Sequence, residues 1–192
     1  FSVLKDKLPS IFDNVIEGSQ RINNIVSELR EFTVEHPSEH TESIQINNVV
    51  QTALTLLSNL IKKSTDRFTT LYAEELPFIT GNYQRLEQVV INLVQNACQA
   101  LSDKKERIEI KTQYIKEQGI ITLTVQDEGV GIPDDHLNRV TDLFFTTKRD
   151  KGGTGLGLAI SSKIVIEHGG RLNVLNSHPK GAKVIVELPL DQ

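Results

Sequence analysis

Between Asp127 and Leu158 the chain carries DEGVGIP at 127–133, FFTTK at 144–148 and GGTGLGL at 152–158. Glycine reaches positive φ and has no Cβ, so such spacing lets backbone N–H groups close on the oxygens of a polyanion. The segment reads as a nucleotide-binding loop. Upstream, residues 84–101 (QRLEQVVINLVQNACQAL) place Leu86, Val89, Val90, Leu93, Ala97 and Leu101 at helical spacing. Asn92 and Asn96 are four residues apart and share one face of that helix. A lone asparagine there would read as solvated surface. Two on one stripe among apolar neighbours, in a residue type of poor helix propensity, read as site residues.

The elements that must position these groups begin with a chain of 192 residues, enough for one full core and an appended element. A hydrophobic fraction of 38% and a charged fraction of 24% fit a globular protein and exclude a wholly disordered one. The formal net charge of −4 lacks the basic footprint of nucleic-acid binding, so no nucleic acid is expected as a partner. No apolar run approaches the ~20 residues of a spanning helix, and no membrane contact is expected of this segment. Cys98 is the single cysteine. It has no intrachain disulfide partner and reads as a small buried hydrophobe, which fits a reducing, cytoplasmic setting. The start at Phe1 and the lack of methionine suggest a segment excised from a longer protein.

In chain order, Ile11, Val15, Gly18, Ile22, Ile25, Leu29 and Phe32 alternate spacings of four and three, the seam of a coiled coil or four-helix bundle. A dimerisation helix is expected over 1–36. Residues 34–43, VEHPSEHTES, are polar and aperiodic and read as a linker, with a second unit over 44–192. Ile44 and Ile46 suggest a short edge strand, followed by one helix from a cap at Asn47 or Asn48 through Ile61. Strands are expected near 67–73, 77–80, 107–114, 120–126, 172–175 and 183–188, with a turn at 117–119 and a helix at 157–167 ended by Gly169 and Gly170.

NLVQNA at 92–97, DEGVGIP, FFTTK and GTGLGL at 153–158 stand in a fixed order that closely resembles the ATP-binding domain of two-component sensor histidine kinases. That domain belongs to the superfamily of gyrase, mismatch-repair and heat-shock chaperone ATPases. QRLEQV, HGGRL at 168–172 and ELPL at 187–190 extend the likeness over nearly the whole chain, and GSQRINNIVSELREFT at 18–33 resembles the second helix of the family's dimerisation hairpin. The resemblance implies an α/β, or α+β, two-layer sandwich of the Bergerat type: a mixed, mostly antiparallel sheet packed on three helices, preceded by the dimerisation helix, with a lid over roughly 137–153.

The same likeness implies roles. Asp127 reads adenine by accepting from the exocyclic amine, which guanine lacks at that position. Gly129 and Gly131 pass close beneath the base, and Ile132 packs on it. Asn96 holds Mg²⁺ through its side-chain oxygen, a hard donor suited to that ion. Asn92 supports it or reaches phosphate. Gly153, Gly155 and Gly157 cradle phosphates with the N-terminus of the following helix, Thr154 and Leu156 shape the loop, and Leu158 belongs to the same box. Lys148 draws in triphosphate, whereas Arg149 and Lys151 read better as solvated charge. Phe144 and Phe145 are expected to be buried, either in the lid or in the core.

In the superfamily's hydrolytic members a glutamate stands where this chain has Asn92, and an amide cannot take water's proton, which favours phosphotransfer. The implied cofactors are ATP and Mg²⁺, and the implied partners are a second copy through the N-terminal helix and a response-regulator receiver domain. The chain departs from the family in lacking a phosphoacceptor: His36, His40, His136, His168 and His178 all read as surface or capping residues. A second departure is GAKV at 181–184, where many relatives carry hydroxyl residues. The expected activity is therefore that of a histidine kinase catalytic fragment that does not label itself. The alternatives are a nucleotide-binding regulatory module without kinase activity and a superfamily ATPase.

Overall fold

The computed structural model describes residues 41–148 and 153–190, together with Phe12, Val15, Ile16, Gly18, Ser19, Ile22, Asn23, Val26, Leu29 and Arg30. These last ten are helical. Of the expected seam, Val15, Gly18, Ile22 and Leu29 are described, and all four are exposed. The remaining seam positions and most of the expected linker lie outside the described residues.

The strands are β1 (Glu42–Ile44), β2 (Arg67–Leu71), β3 (Ile79–Gly81), β4 (Arg107–Ile115), β5 (Ile120–Asp127), β6 (Arg171–Asn176) and β7 (Ala182–Pro189). The helices of the main unit are α1 (Ile46–Leu56), α2 (Ser58–Ser64), α3 (Tyr83–Ala100) and α4 (Gly157–Glu167). β1 and β3 form an antiparallel pair, and the main sheet runs β2-β4-β5-β7-β6. Only the β2–β4 pair in that sheet is parallel. The sheet is thus mixed and mostly antiparallel, packed on helices as the motifs imply, with four helices among the described residues in place of three.

Alternation along β5 decides where the site lies. Ile121, Leu123, Val125 and Asp127 are buried while the residues between them are only half-buried. Successive strand side chains point to opposite faces, so Asp127 is the last position on the row that packs against α3. Leu86, Val89, Val90, Leu93, Val94, Ala97 and Cys98 form the buried face of α3. Burial raises the thiol pKa of Cys98, consistent with an inert hydrophobe.

α3 and α4 lie antiparallel and are tied where α3 begins and α4 ends. Arg85 pairs with Glu167 at 2.6 Å, and His168 Nε2 accepts from the N–H of Asn82 at 3.0 Å. Its Nδ1 lies 2.7 Å from Ile164 O, so the ring holds the Nδ1–H tautomer and bridges the two helices. Asn82 caps α3 through its side chain, which accepts from Arg85 N at 3.1 Å.

Local differences from the sequence reading have local causes. Gln45, not Asn47 or Asn48, caps α1, accepting from Asn47 N at 3.3 Å. Asn47 instead accepts from Thr112 Oγ1 at 2.8 Å and donates to Ala73 O at 3.0 Å, stitching the helix to the loop beyond β2. Ile46 belongs to the helix, and the expected single helix breaks at Leu57. Among the described residues no helix is long and apolar enough to cross a membrane.

Candidate nucleotide site

Asp127 is almost wholly buried at the end of β5, with 6% exposure. Its Oδ1 accepts the N–H groups of Gly129 at 2.8 Å and of Ala182 at 3.3 Å. Both donors use the same oxygen, which leaves Oδ2 available as an acceptor at the cavity that Asp127 lines. Burial pushes the carboxyl above its ordinary value, while the two N–H groups and the nearby Lys148 charge pull it back down. Ala182 has no hydroxyl, yet its backbone N–H does the anchoring, so the departure at GAKV leaves the carboxylate held.

The loop beyond β5 is folded back on α3. Val130 N donates to Ala100 O at 3.0 Å, and a Cβ on Gly129 would lie 2.5 Å from that same oxygen. Gly129 is therefore required for loop-to-helix contact and does not itself line the cavity. Gly131, at φ +72, and Ile132 do line it.

Asn92 and Asn96 both line the cavity from α3, and Asn92 reaches the start of α4. Asn92 Nδ2 donates to Gly157 O and to Ser161 Oγ, each at 3.2 Å, and its Oδ1 accepts from Gln88 at 3.4 Å. Ser161 is fully buried and donates to Gly157 O at 2.9 Å. Lys148 Nζ reaches the backbone oxygen of Asn96 at 3.3 Å, bringing the end of FFTTK over α3. No side chain caps α4 at Leu156, so the first-turn N–H groups keep their capacity for an anionic ligand.

The glycine segment is fitted to FFTTK. Phe144 N donates to Gly155 O at 3.0 Å, and Gly153 N donates to Lys148 O at 3.0 Å. A Cβ on Gly155, which has φ +73, would lie 2.5 Å from the carbonyl carbon of Phe144. Phe144 itself is half-exposed and holds φ 64, so it is not buried as expected, because its backbone is spent on the glycine contact. Phe145 is half-buried and lines the cavity.

A cavity of about 810 Å³ unites these parts and falls in the range of small-ligand sites. Asn92, Asn96, Asp127, Gly131, Ile132, Lys148, Gly153, Thr154, Gly155, Gly157 and Leu158 all line it. Leu156 does not: it is fully buried, joins the hydrophobic core and anchors the loop from behind. Arg149 and Lys151 lie outside the described residues. His136, read from sequence as a surface or capping residue, lines the cavity with its ring edge against Phe145 at 5.2 Å, and its Nδ1 is buried without a partner. Ser161 and Asn176, which contact the site's own backbone, escape sequence reading because a lone Ser or Asn on an amphipathic element carries no pattern.

Residues 81–192, more than half of the chain, match the family described as histidine kinase-, DNA gyrase B-, and HSP90-like ATPase. The chain belongs to this ATPase family. Its relatives are sensor histidine kinases: it is 30% identical, over 92% of its length, to the sensory histidine kinase/phosphatase NtrB of Azospirillum brasilense, covering 46% of that protein. It is 34% identical, over 90% of its length, to the sensor histidine kinase ZraS of Salmonella typhimurium, covering 36% of it. The chain thus spans less than half the length of these curated relatives. Among solved structures, the catalytic domain of histidine kinase ThkA superposes with a TM-score of 0.69 at 30% identity, covering 78% of this chain and 97% of that one. ThkA in complex with response regulator protein TrrA superposes at 0.74 and 27% identity, covering 96% of this chain and 51% of that one.

The histidine kinase-type ATPase domain implies ATP and Mg²⁺, and the residues fit both. Oδ2 of Asp127 supplies an acceptor at one end of the cavity, and the uncapped start of α4 with Gly155 and Gly157 supplies donors at the other. No group of three or more His, Cys, Asp or Glu side chains able to hold a metal occurs among the described residues. Mg²⁺ takes few protein ligands beside phosphate oxygens and waters, and the Asn96 side chain in the cavity lining carries a hard amide oxygen of the type it accepts.

Proposed function

We propose that this chain is the catalytic unit of a sensor histidine kinase, binding MgATP and passing its γ-phosphoryl to a histidine on a helix outside this chain. An imidazole nitrogen of that histidine attacks the γ-phosphorus, the bond to the β–γ bridging oxygen breaks, ADP leaves, and the imidazole gives up its N–H proton to solvent. Asp127 orients the adenine, the glycine loop and the start of α4 hold the phosphates, and Lys148 offsets their charge. Asn96 would hold Mg²⁺, which neutralises phosphate charge when bound. Catalysis then comes from positioning and charge stabilisation.

The observation that carries this reading is the way Asn92 is spent. Its amide is hydrogen-bonded to Gly157, Ser161 and Gln88 and has no basic atom to activate water. A hydrolase needs a general base there; a phosphotransferase supplies the nucleophile from its partner. The exposed apolar residues of the N-terminal helix, Val15 and Ile22 among them, support pairing with a second copy, and the ThkA complex supports relay to a response regulator.

Calorimetric titration of the chain with ATP and GTP, with and without Mg²⁺, tests the site. ATP should bind at least about tenfold tighter than GTP, a difference of roughly 1.4 kcal/mol, and Mg²⁺ should strengthen ATP binding. Asn96→Ala should abolish the Mg²⁺ effect while leaving metal-free binding nearly unchanged. Equal binding of ATP and GTP would contradict the assignment of Asp127.

A further inference from the structure

Asn176 is the last residue of β6 and is half-buried beside the loop that follows β5. Its Oδ1 accepts the N–H of Ile132 at 2.9 Å, and its Nδ2 donates to the C=O of Ile132 at 2.7 Å. Nδ2 donates again to Asp134 Oδ1 at 3.0 Å. One planar amide therefore satisfies both backbone groups of a single residue, as a neighbouring strand would. The near half of the loop is tied to Asp127 and Ala100; these three bonds tie down the far half.

Gly131 is seated in the same clamp. A Cβ there would lie 3.3 Å from Gly181 O and 3.4 Å from Asn176 Oδ1, so β6 and the turn before β7 set the path of the loop. The clamp needs an acceptor and a donor on one short planar group. Aspartate would set a second acceptor against the Ile132 carbonyl and a charge against Asp134, and serine is too short to span both backbone groups.

We propose that Asn176 is a positioning residue that fixes the Ile132 floor of the cavity and thereby sets affinity for the base of the nucleotide, independently of the phosphates. This rests on the reading of the cavity as an ATP site. Asn176 is not itself among the residues that line the cavity; it acts through Ile132, which is, and it makes no contact with Asn96 or the start of α4. Its loss should therefore be felt equally by ligands with and without phosphates.

The test titrates the chain, its Asn176→Ala variant and its isosteric Asn176→Asp variant with MgATP and, separately, with adenosine, and follows amide hydrogen exchange at Ile132. Asn176→Ala should weaken both ligands by the same factor, about tenfold. Exchange at Ile132 should speed up, and Asn176→Asp should do at least as much. A purely structural role would lower the melting temperature without speeding Ile132 exchange selectively. Unchanged affinity for both ligands in a folded variant, or a loss confined to MgATP, would overturn the proposal. If the unaltered chain binds neither ligand, the ATP reading fails and the proposal with it, an outcome distinct from loss in the variants alone. Should Asn176→Ala lose its cooperative melt, Asn176→Ser carries the same comparison.

Discussion

The backbone of Gly181 crosses Asp127 so closely that a Cβ on residue 181 would stand 1.8 Å from the Asp127 carbonyl oxygen. Residue 181 also holds φ +99, which side chains rarely adopt. The contact lets the N–H of Ala182 reach the Asp127 carboxylate, so the approach of β7 and the orientation of the buried acid are one event.

Gly181→Ala should therefore damage both stability and binding. Backbone strain and overpacking each cost of the order of 1–3 kcal/mol, which predicts a loss of roughly 2–6 kcal/mol in a denaturant melt. A variant of unchanged stability would mean that the turn before β7 relaxes freely.

Asp127→Asn should lower MgADP affinity by about tenfold or more, because a charge-assisted acceptor becomes a neutral one. The pH dependence follows from the raised folded value of the carboxyl. For folding, a raised acid contributes stability that is full below its ordinary value and is lost as pH rises through the folded value. For binding the sign reverses, since the ionised form is the better acceptor for the adenine amine. MgADP affinity should fall as pH drops through the raised value, above the pH at which an ordinary aspartate would titrate. Titrations across that range should show a flatter profile for Asp127→Asn.

Gly155→Ala tests the fit between the glycine segment and FFTTK. The added methyl would meet the Phe144 carbonyl carbon at 2.5 Å and Phe145 N at 2.8 Å, on a backbone at φ +73. ATP affinity should fall by about tenfold or more, whereas adenosine affinity should stay within about twofold, because the change lies at the phosphate end.

His168→Ala should destabilise the chain by about 1–3 kcal/mol without changing the ratio of ATP to GTP affinity. The ring joins Ile164 O to Asn82 N, and Gly81 packs against it, so removal leaves the part-buried Asn82 N–H unpaired and opens space beside Gly81. Thermal melts and paired titrations read the two effects separately.

Much of this site was legible in the sequence because its parts obey periodicities. The two asparagines of α3 stand one helical turn apart, and Asp127 continues the alternating row of β5, so spacing alone puts them on faces that meet. Glycines with positive φ, such as Gly131 and Gly155, were visible as a residue type. Other features depend on contacts between distant segments. Asn176 acts on a loop 44 residues away, and nothing in NVLNSHP distinguishes it from a strand-end asparagine. His136 was misplaced because its neighbours are charged, although the turn from Pro133 carries it back under Phe145. Gln45 displaced Asn47 as the cap of α1 because Asn47 is engaged by Thr112 across the fold, which local capping preference cannot register.

The measurement that bears most directly on histidine phosphotransfer is incubation of this chain with γ-labelled MgATP, alone and mixed with a longer, catalytically inactive chain that carries the acceptor helix. Subunit exchange between the two should be verified first, and Asp127→Asn serves as the control. Acid-labile, base-stable label on the longer chain, absent from this chain alone and lost with Asp127→Asn, is the predicted result. Nucleotide binding and verified exchange with no label on the longer chain would contradict the account.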